Sequence, residues 1–132
     1  MTLDDFIKSA GITMTVTPSD ANPYMDDDRN PMDHWKCTLH AGRSRMGLYF
    51  SKGRGHNGNA PTVAEVLDCL ASDSASVENA TNFEDWCGEY GYDTDSRKAE
   101  RTFKQCGRQA AQLRVLLGNS AYQTLLFDTD RL

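Results

Sequence analysis

The sequence predicts an α+β fold: an N-terminal helix, a three-stranded antiparallel sheet, and then a C-terminal group of four helices. Three observations lead there. Residues 12–50 hold three short stretches that alternate apolar and polar residues, the period of a half-buried strand. From Thr62 onward the apolar residues recur every three or four positions instead, the period of a helix packed on one side. The resulting order, α-β-β-β-α-α-α-α, contains no βαβ unit, which excludes a doubly wound parallel sheet. With 132 residues, the chain falls within the roughly 100–200 residues of one domain. Residues 1–132 are therefore expected to form a single domain, with helix and sheet at 1–61 and the helical part at 62–132.

Each element has its own signal. Residues 2–10 form a short helix with Thr2 as N-cap, Asp4 and Asp5 in the first turn, and Gly11 as the stop. Leu3, Phe6, Ile7 and Ala10 make its apolar face. The alternation Ile12-Thr-Met14-Thr-Val16 is a β-branched strand that Pro18 is expected to end. Residues 18–33 carry three prolines and five aspartates without periodicity, which predicts a long mobile loop. Trp35, Cys37 and Leu39 alternate, as do Met46, Leu48 and Phe50, and the link His40-Ala-Gly-Arg-Ser44 joins them as a hairpin. A glycine-rich loop follows at 51–61.

Thr62 caps a helix whose inward residues are Val63, Val66, Leu67, Leu70 and Ala71. Asn82 opens a short helix that turns Phe83, Trp86, Cys87 and Tyr90 inward and closes at Gly91. The longest helix starts at Asp95 or Ser96, buries Ala99, Phe103, Cys106, Ala110, Leu113 and Leu117, and ends at Gly118. Gly107 inside it costs about 1 kcal/mol, which predicts close helix packing at that point. Asn119 or Ser120 caps a last helix with Tyr122, Leu125 and Leu126 inward.

Charge is strongly segregated. Residues 1–33 carry −5, residues 34–64 carry +5 with no acid, residues 65–95 carry −9 with no base, and residues 96–132 carry +4. Fields of several kT arise if such blocks stay apart in space; folding the +5 block against the −9 block would cancel them. No apolar run approaches the ~18 residues of a membrane helix, and the acidic start MTLDDFIKSAG lacks the apolar stretch of a secretion signal. The four cysteines, Cys37, Cys69, Cys87 and Cys106, form no CxxC pair, so thiols in a reducing cytoplasm are expected rather than a disulfide framework.

Candidate chemistry is sparse. His34, Cys37 and His40 have a metal-like spacing, but strand alternation sends the cysteine to the face opposite two exposed histidines, so no metal is expected. The loop Gly53-Arg-Gly-His-Asn-Gly58 leads into a helix N-terminus, a geometry able to hold phosphate, yet it lacks a P-loop spacing; an enzyme or phosphorylated-ligand binder at 53–59 is one alternative. No nucleophile motif is present, which favours a non-enzymatic protein without cofactor. Arg97, Arg101, Lys104 and Arg108 form a basic row on the longest helix. Arg43, Arg45, Lys52 and Arg54, interleaved with Trp35, Tyr49 and Phe50, form a basic hairpin at 34–56 and the main nucleic-acid-binding alternative. The order α-β-β-β-α over residues 2–75 resembles the double-stranded-RNA-binding domain, although NAPTVAEVLD stands where that family places lysines. The acidic block carries the principal candidate, a partner-binding surface of Asp73, Glu78, Glu84, Asp85, Glu89, Asp93 and Asp95 with Tyr90, Tyr92 and Trp86 beside them. Spaced carboxylates imitate a phosphate row, and aromatics favour interfaces.

The stretch VLDCLASDSASVENATNFEDWCGEYGYDTDSRKAERTFK, with the TLDDFIKSAGITM start and the HWKCTL strand, resembles a segment of small uncharacterised proteins of bacteriophages and integrated mobile elements. The resemblance carries no catalytic motif. It implies a cytoplasmic accessory protein in a bacterial host, in the setting of anti-CRISPR and other anti-defence proteins. The expected function is therefore inhibition of a host nucleic-acid-handling defence protein through the acidic surface.

Overall fold

The computed structural model describes residues 1–19, 34–51 and 59–130. The order of elements is α1 (Leu3–Ala10), β1 (Ile12–Ser19), β2 (His34–Ala41), β3 (Ser44–Ser51), α2 (Val63–Glu78), α3 (Phe83–Tyr90), α4 (Arg97–Leu117) and α5 (Asn119–Phe127). The predicted loops at 18–33 and 51–61 fall largely outside the described residues.

The three strands pair antiparallel in the order β1-β2-β3. Register follows from the alternation, because a slip by one residue would send the apolar set to the wrong face. Met14, Leu39 and Met46 lie across from one another, as do Val16, Cys37 and Leu48. Cys37 and Leu39 are wholly buried and Met46, Leu48 and Phe50 nearly so. Gly42, at φ +60°, opens the two-residue turn between β2 and β3, where the strand twist demands a positive φ. β1 continues through Pro18, opposite Trp35, to Ser19 instead of ending at the proline. Its place at the sheet edge explains this, since an edge strand tolerates a missing N–H.

The helices cover the apolar face of this sheet. α1 is capped by Thr2, whose Oγ1 accepts the Asp5 N–H at 3.1 Å. In α2, Thr62 and Glu65 form a capping box, each side chain accepting the other's backbone N–H at 3.1 Å. Val66, Leu67, Leu70 and Ala71 face the core, where they meet Leu113 of α4 and Leu125 of α5 in one cluster with the sheet residues and Leu3 and Phe6 of α1. α3 stands apart, packed on α4 through a second, smaller cluster of Trp86, Cys87 and Ala99. The Asp130 N–H bonds the Met1 carbonyl at 2.8 Å. None of the four cysteines is in a disulfide. Among the described residues no helix is long and apolar enough to cross a membrane.

Several expectations need correction. Ser96 caps α4, but Leu116 rather than Leu117 is its deepest C-terminal residue, because both positions lie within reach of the stripe. Gly118, at φ +83°, ends α4 and also stands as the N-cap position of α5, with no side-chain cap. That left-handed backbone places Asn119 already inside the helix, so neither Asn119 nor Ser120 serves as a cap. Tyr90 is 48% exposed rather than inward. Gly107 marks no close packing, for it is exposed and a Cβ added there would meet nothing within 4 Å.

Two substitutions check this architecture by urea denaturation. Gly107→Ala removes the helix penalty without a clash and is expected to stabilise by about 0.5–1 kcal/mol. Leu39→Ala opens a cavity at the centre of the sheet and is expected to destabilise by about 2–5 kcal/mol.

Candidate functional site

The acidic block folds onto the basic helix α4 rather than onto the hairpin, and its carboxylates take different roles. Glu65 belongs to the capping box of α2. Asp73 is half-buried on α2, where its charge, after burial, helps push the Cys106 thiol up to about 11. Glu78 ends α2, and its Oε1 accepts both the Arg114 guanidinium of α4 and the Tyr122 hydroxyl of α5, each at 2.8 Å. Arg114 also lies over the Tyr122 ring, 4.8 Å from its centroid. Three helices are thereby joined at one carboxylate. Glu78 is thus paired in place with Arg114 and Tyr122, unlike the free partner-binding carboxylate expected of it.

Asp68 lies on α2, and the acids from Glu84 onward gather around α3. Asn82 Oδ1 accepts the Asp85 N–H, and Asp85 Oδ2 accepts the Thr81 N–H, both at 2.9 Å. Glu84 and Asp85 occupy the first turn of α3, where the helix dipole favours negative charge. Asp93 and Asp95 precede the N-terminus of α4 and gain from its dipole in the same way. Glu89 does not: it sits in the last turn of α3, which contains no basic residue. Glu84, Glu89, Asp93 and Asp95 are exposed and form no ion pair with a described residue. Tyr90 stands beside Glu89.

What fixes this face in space is Trp86. Its indole is 3% exposed and stacks on Tyr92 with centroids 5.1 Å apart and planes 7° from parallel. Phe103 meets it edge-on at 5.4 Å, and Tyr90 tilts against it at 5.5 Å. The indole Nε1–H donates to Ser76 Oγ at 3.1 Å, and that hydroxyl donates to the Asp73 carbonyl at 2.6 Å. Of the aromatics expected at an interface, Trp86 is therefore a core pin, Tyr92 is half-buried and Tyr90 alone is well exposed. Burial, followed by the nearby Asp93 and Glu84 charges, raises the Cys87 thiol.

The basic candidates are dispersed. Arg43 lies in the β2–β3 turn and Arg45 on β3, both exposed, whereas Lys52, Arg54 and most of the loop 53–59 lie outside the described residues. On α4, Lys104 pairs with Glu100 at 2.8 Å, and this contact, reinforced by Arg97, lowers the Glu100 carboxyl. Among the described residues no cluster of three or more His, Cys, Asp or Glu is arranged to hold a metal ion. His34 is 4% exposed rather than exposed as expected, although strand alternation puts it on the same face as Lys36 and His40. Sequence reasoning found the hairpin cations but missed the threonines that strand pairing sets beside them: Thr13, Thr15, Thr17, Lys36 and Arg45 are all exposed on the polar face of the sheet. Its signal was the polar half of the alternation that identified the strands.

Compared with known proteins, the chain matches no family model, no curated protein and no solved structure.

The Tyr122 contact has a pH signature. Burial, and then the Glu78 carboxylate, push the Tyr122 hydroxyl from 10.0 up to about 12. A neutral phenol favoured by the fold contributes stability that is complete below pH 10 and lost as pH rises toward 12. Urea midpoints are expected to fall across that window, and Tyr122→Phe to flatten the fall.

Proposed function

We propose that the protein is a non-enzymatic binding protein whose acidic α3 face docks on the basic, nucleic-acid-handling surface of a host defence protein and blocks it. The single observation carrying this reading is the group Glu84, Glu89, Asp93 and Asp95, exposed, without described ion pairs, and set on α3 and the link that follows it, which the Trp86–Tyr92 stack fixes. Their fixed spacing lowers the ordering cost of binding, and charge complementarity accelerates encounter with a cationic groove. Tyr90, with an apolar ring half in water, supplies an aromatic anchor among them. The position of Glu89 favours the same reading, because a carboxylate opposed by its own helix dipole is retained at a small cost in stability. The bacterial host and the anti-CRISPR-like role come from the resemblance to phage and mobile-element proteins.

Asp85 is left out of the test because it caps the chain at Thr81. The variant Glu84→Lys/Glu89→Lys/Asp93→Lys/Asp95→Lys, used as bait in nuclease-treated lysate of infected bacteria, is expected to lose the partner that the wild type captures. Its circular dichroism is expected to stay unchanged. Undiminished capture by the reversed variant would contradict the reading. A second reading, direct contact with nucleic acid, rests on a different surface, the acid-free sheet.

A further inference from the structure

Strand pairing creates a surface that no single stretch of sequence displays. On the face of the sheet opposite the core, three cross-strand rows follow one another: Thr17–Lys36–Tyr49, Thr15–Thr38–Gly47 and Thr13–His40–Arg45, the β3 edge at Gly47 and Tyr49 also bordering a cleft with Gln105, Arg108 and Gln109 of α4. All three β1 threonines, Lys36, Arg45 and Gly47 are exposed, and Thr38, His40 and Tyr49 are partly so. Arg43 extends the cationic set from the adjoining turn. Residues 12–19 and 34–51 contain no Asp or Glu, in a chain whose net charge is −5. The face is therefore a local inversion of the protein's overall charge.

Its shape is specific as well. The strands pair at every position of 12–19, 34–41 and 44–51 without a bulge, forming a ladder of eight residues per strand. With His34 buried at one end, the rows from Lys36 to His40 make a platform about 13 Å long and about 10 Å wide at ordinary strand dimensions. Lys36 and Arg45 lie about 13 Å apart along the strand direction, one in each outer row. Thr15 Oγ1 and His40 Nε2 approach to 3.5 Å across the strands, and the threonine hydroxyls offer donors between the cations.

Gly47, at the centre of β3, is the informative residue. Glycine weakens a strand interior and there usually marks a positive φ, a bulge or a close approach. Gly47 shows no positive φ and no bulge, and a Cβ placed on it would meet only the Cys37 carbonyl, at 4.0 Å. The fold does not require it. A bare backbone between Arg45 and Tyr49 does allow a flat ring to lie directly on the strand.

We propose that this outer sheet face binds single-stranded nucleic acid: Lys36, Arg43 and Arg45 hold the phosphate backbone, the threonine hydroxyls donate to phosphate oxygens, and a base rests over Gly47 beside Tyr49. Single-strand platforms combine a cationic track with exposed faces for bases, whereas duplex offers its base faces to nothing. This site is independent of the acidic α3 face.

Fluorescence anisotropy of the full chain with labelled oligo-dT and oligo-U tests the proposal; a duplex of equal length and a polyglutamate peptide serve as the other probes. At low ionic strength at least one single strand is expected to bind, the choice between them telling DNA from RNA. Affinity is expected to fall with salt at a log–log slope of about −2, from three phosphate contacts on a single strand. Lys36→Glu/Arg45→Glu is expected to weaken binding at least about tenfold, which a surface contributing only solubility would not do. Gly47→Val, which meets no clash, is expected to keep the circular dichroism spectrum and lose binding to a similar extent. The proposal is overturned if neither single strand binds, if either variant binds like the wild type, or if the duplex or polyglutamate binds as tightly as the better single strand.

Discussion

The molecule depends on the two-residue alternation of its three strands. With Met14, Leu39 and Met46 in one cross-strand row and Val16, Cys37 and Leu48 in the next, one face of the sheet is apolar and must be covered. α2 and α4 supply that cover, through Val66, Leu67, Leu70 and Leu113. The same alternation leaves threonine, lysine and arginine on the opposite face. A single constraint thus produces both the core and the cationic platform.

The helical half adds a different kind of order. α3 has few ties to the main core and is held by the aromatic group around Trp86, whose indole also needs Ser76 as a hydrogen-bond acceptor. Glu78 is satisfied at the junction of α2, α4 and α5 by Arg114 and Tyr122. The carboxylate remains in contact with solvent, and its two partners make it a tie between three helices rather than a free charge. Within residues 65–95, the exposed acids without a described ion pair are those around α3. Packing, not composition, separates the carboxylates tied to neighbouring helices from those left unpaired.

Much of the fold was legible because its signals are local. The caps at Thr2, Thr62, Asn82 and Ser96 and the stop at Gly91 are read from single residues and their neighbours. The errors came where a residue's role depends on something distant. Pro18 is tolerated because β1 is an edge, and edge position is a property of the sheet. Gly107 looked like a packing device, but no helix approaches it. His34 has the parity of an exposed residue and is nonetheless buried. The candidate acidic surface was half legible: the charge run is plain in the sequence, whereas the withdrawal of Glu78 by an arginine thirty-six positions away is not. The cations of the sheet face were legible as a basic hairpin, whereas the β1 threonines that complete the face join it only through strand pairing.

Two oppositely charged faces on one small scaffold is the central claim, and a heteronuclear NMR titration tests it most directly. Added to the labelled protein, a lysine-rich peptide should shift the amide signals of Glu84 to Asp95 and leave Thr13, Thr15 and Thr17 unmoved. Shifts spread evenly over the chain, or concentrated on the strands, would mean that the fold does not keep its charges apart.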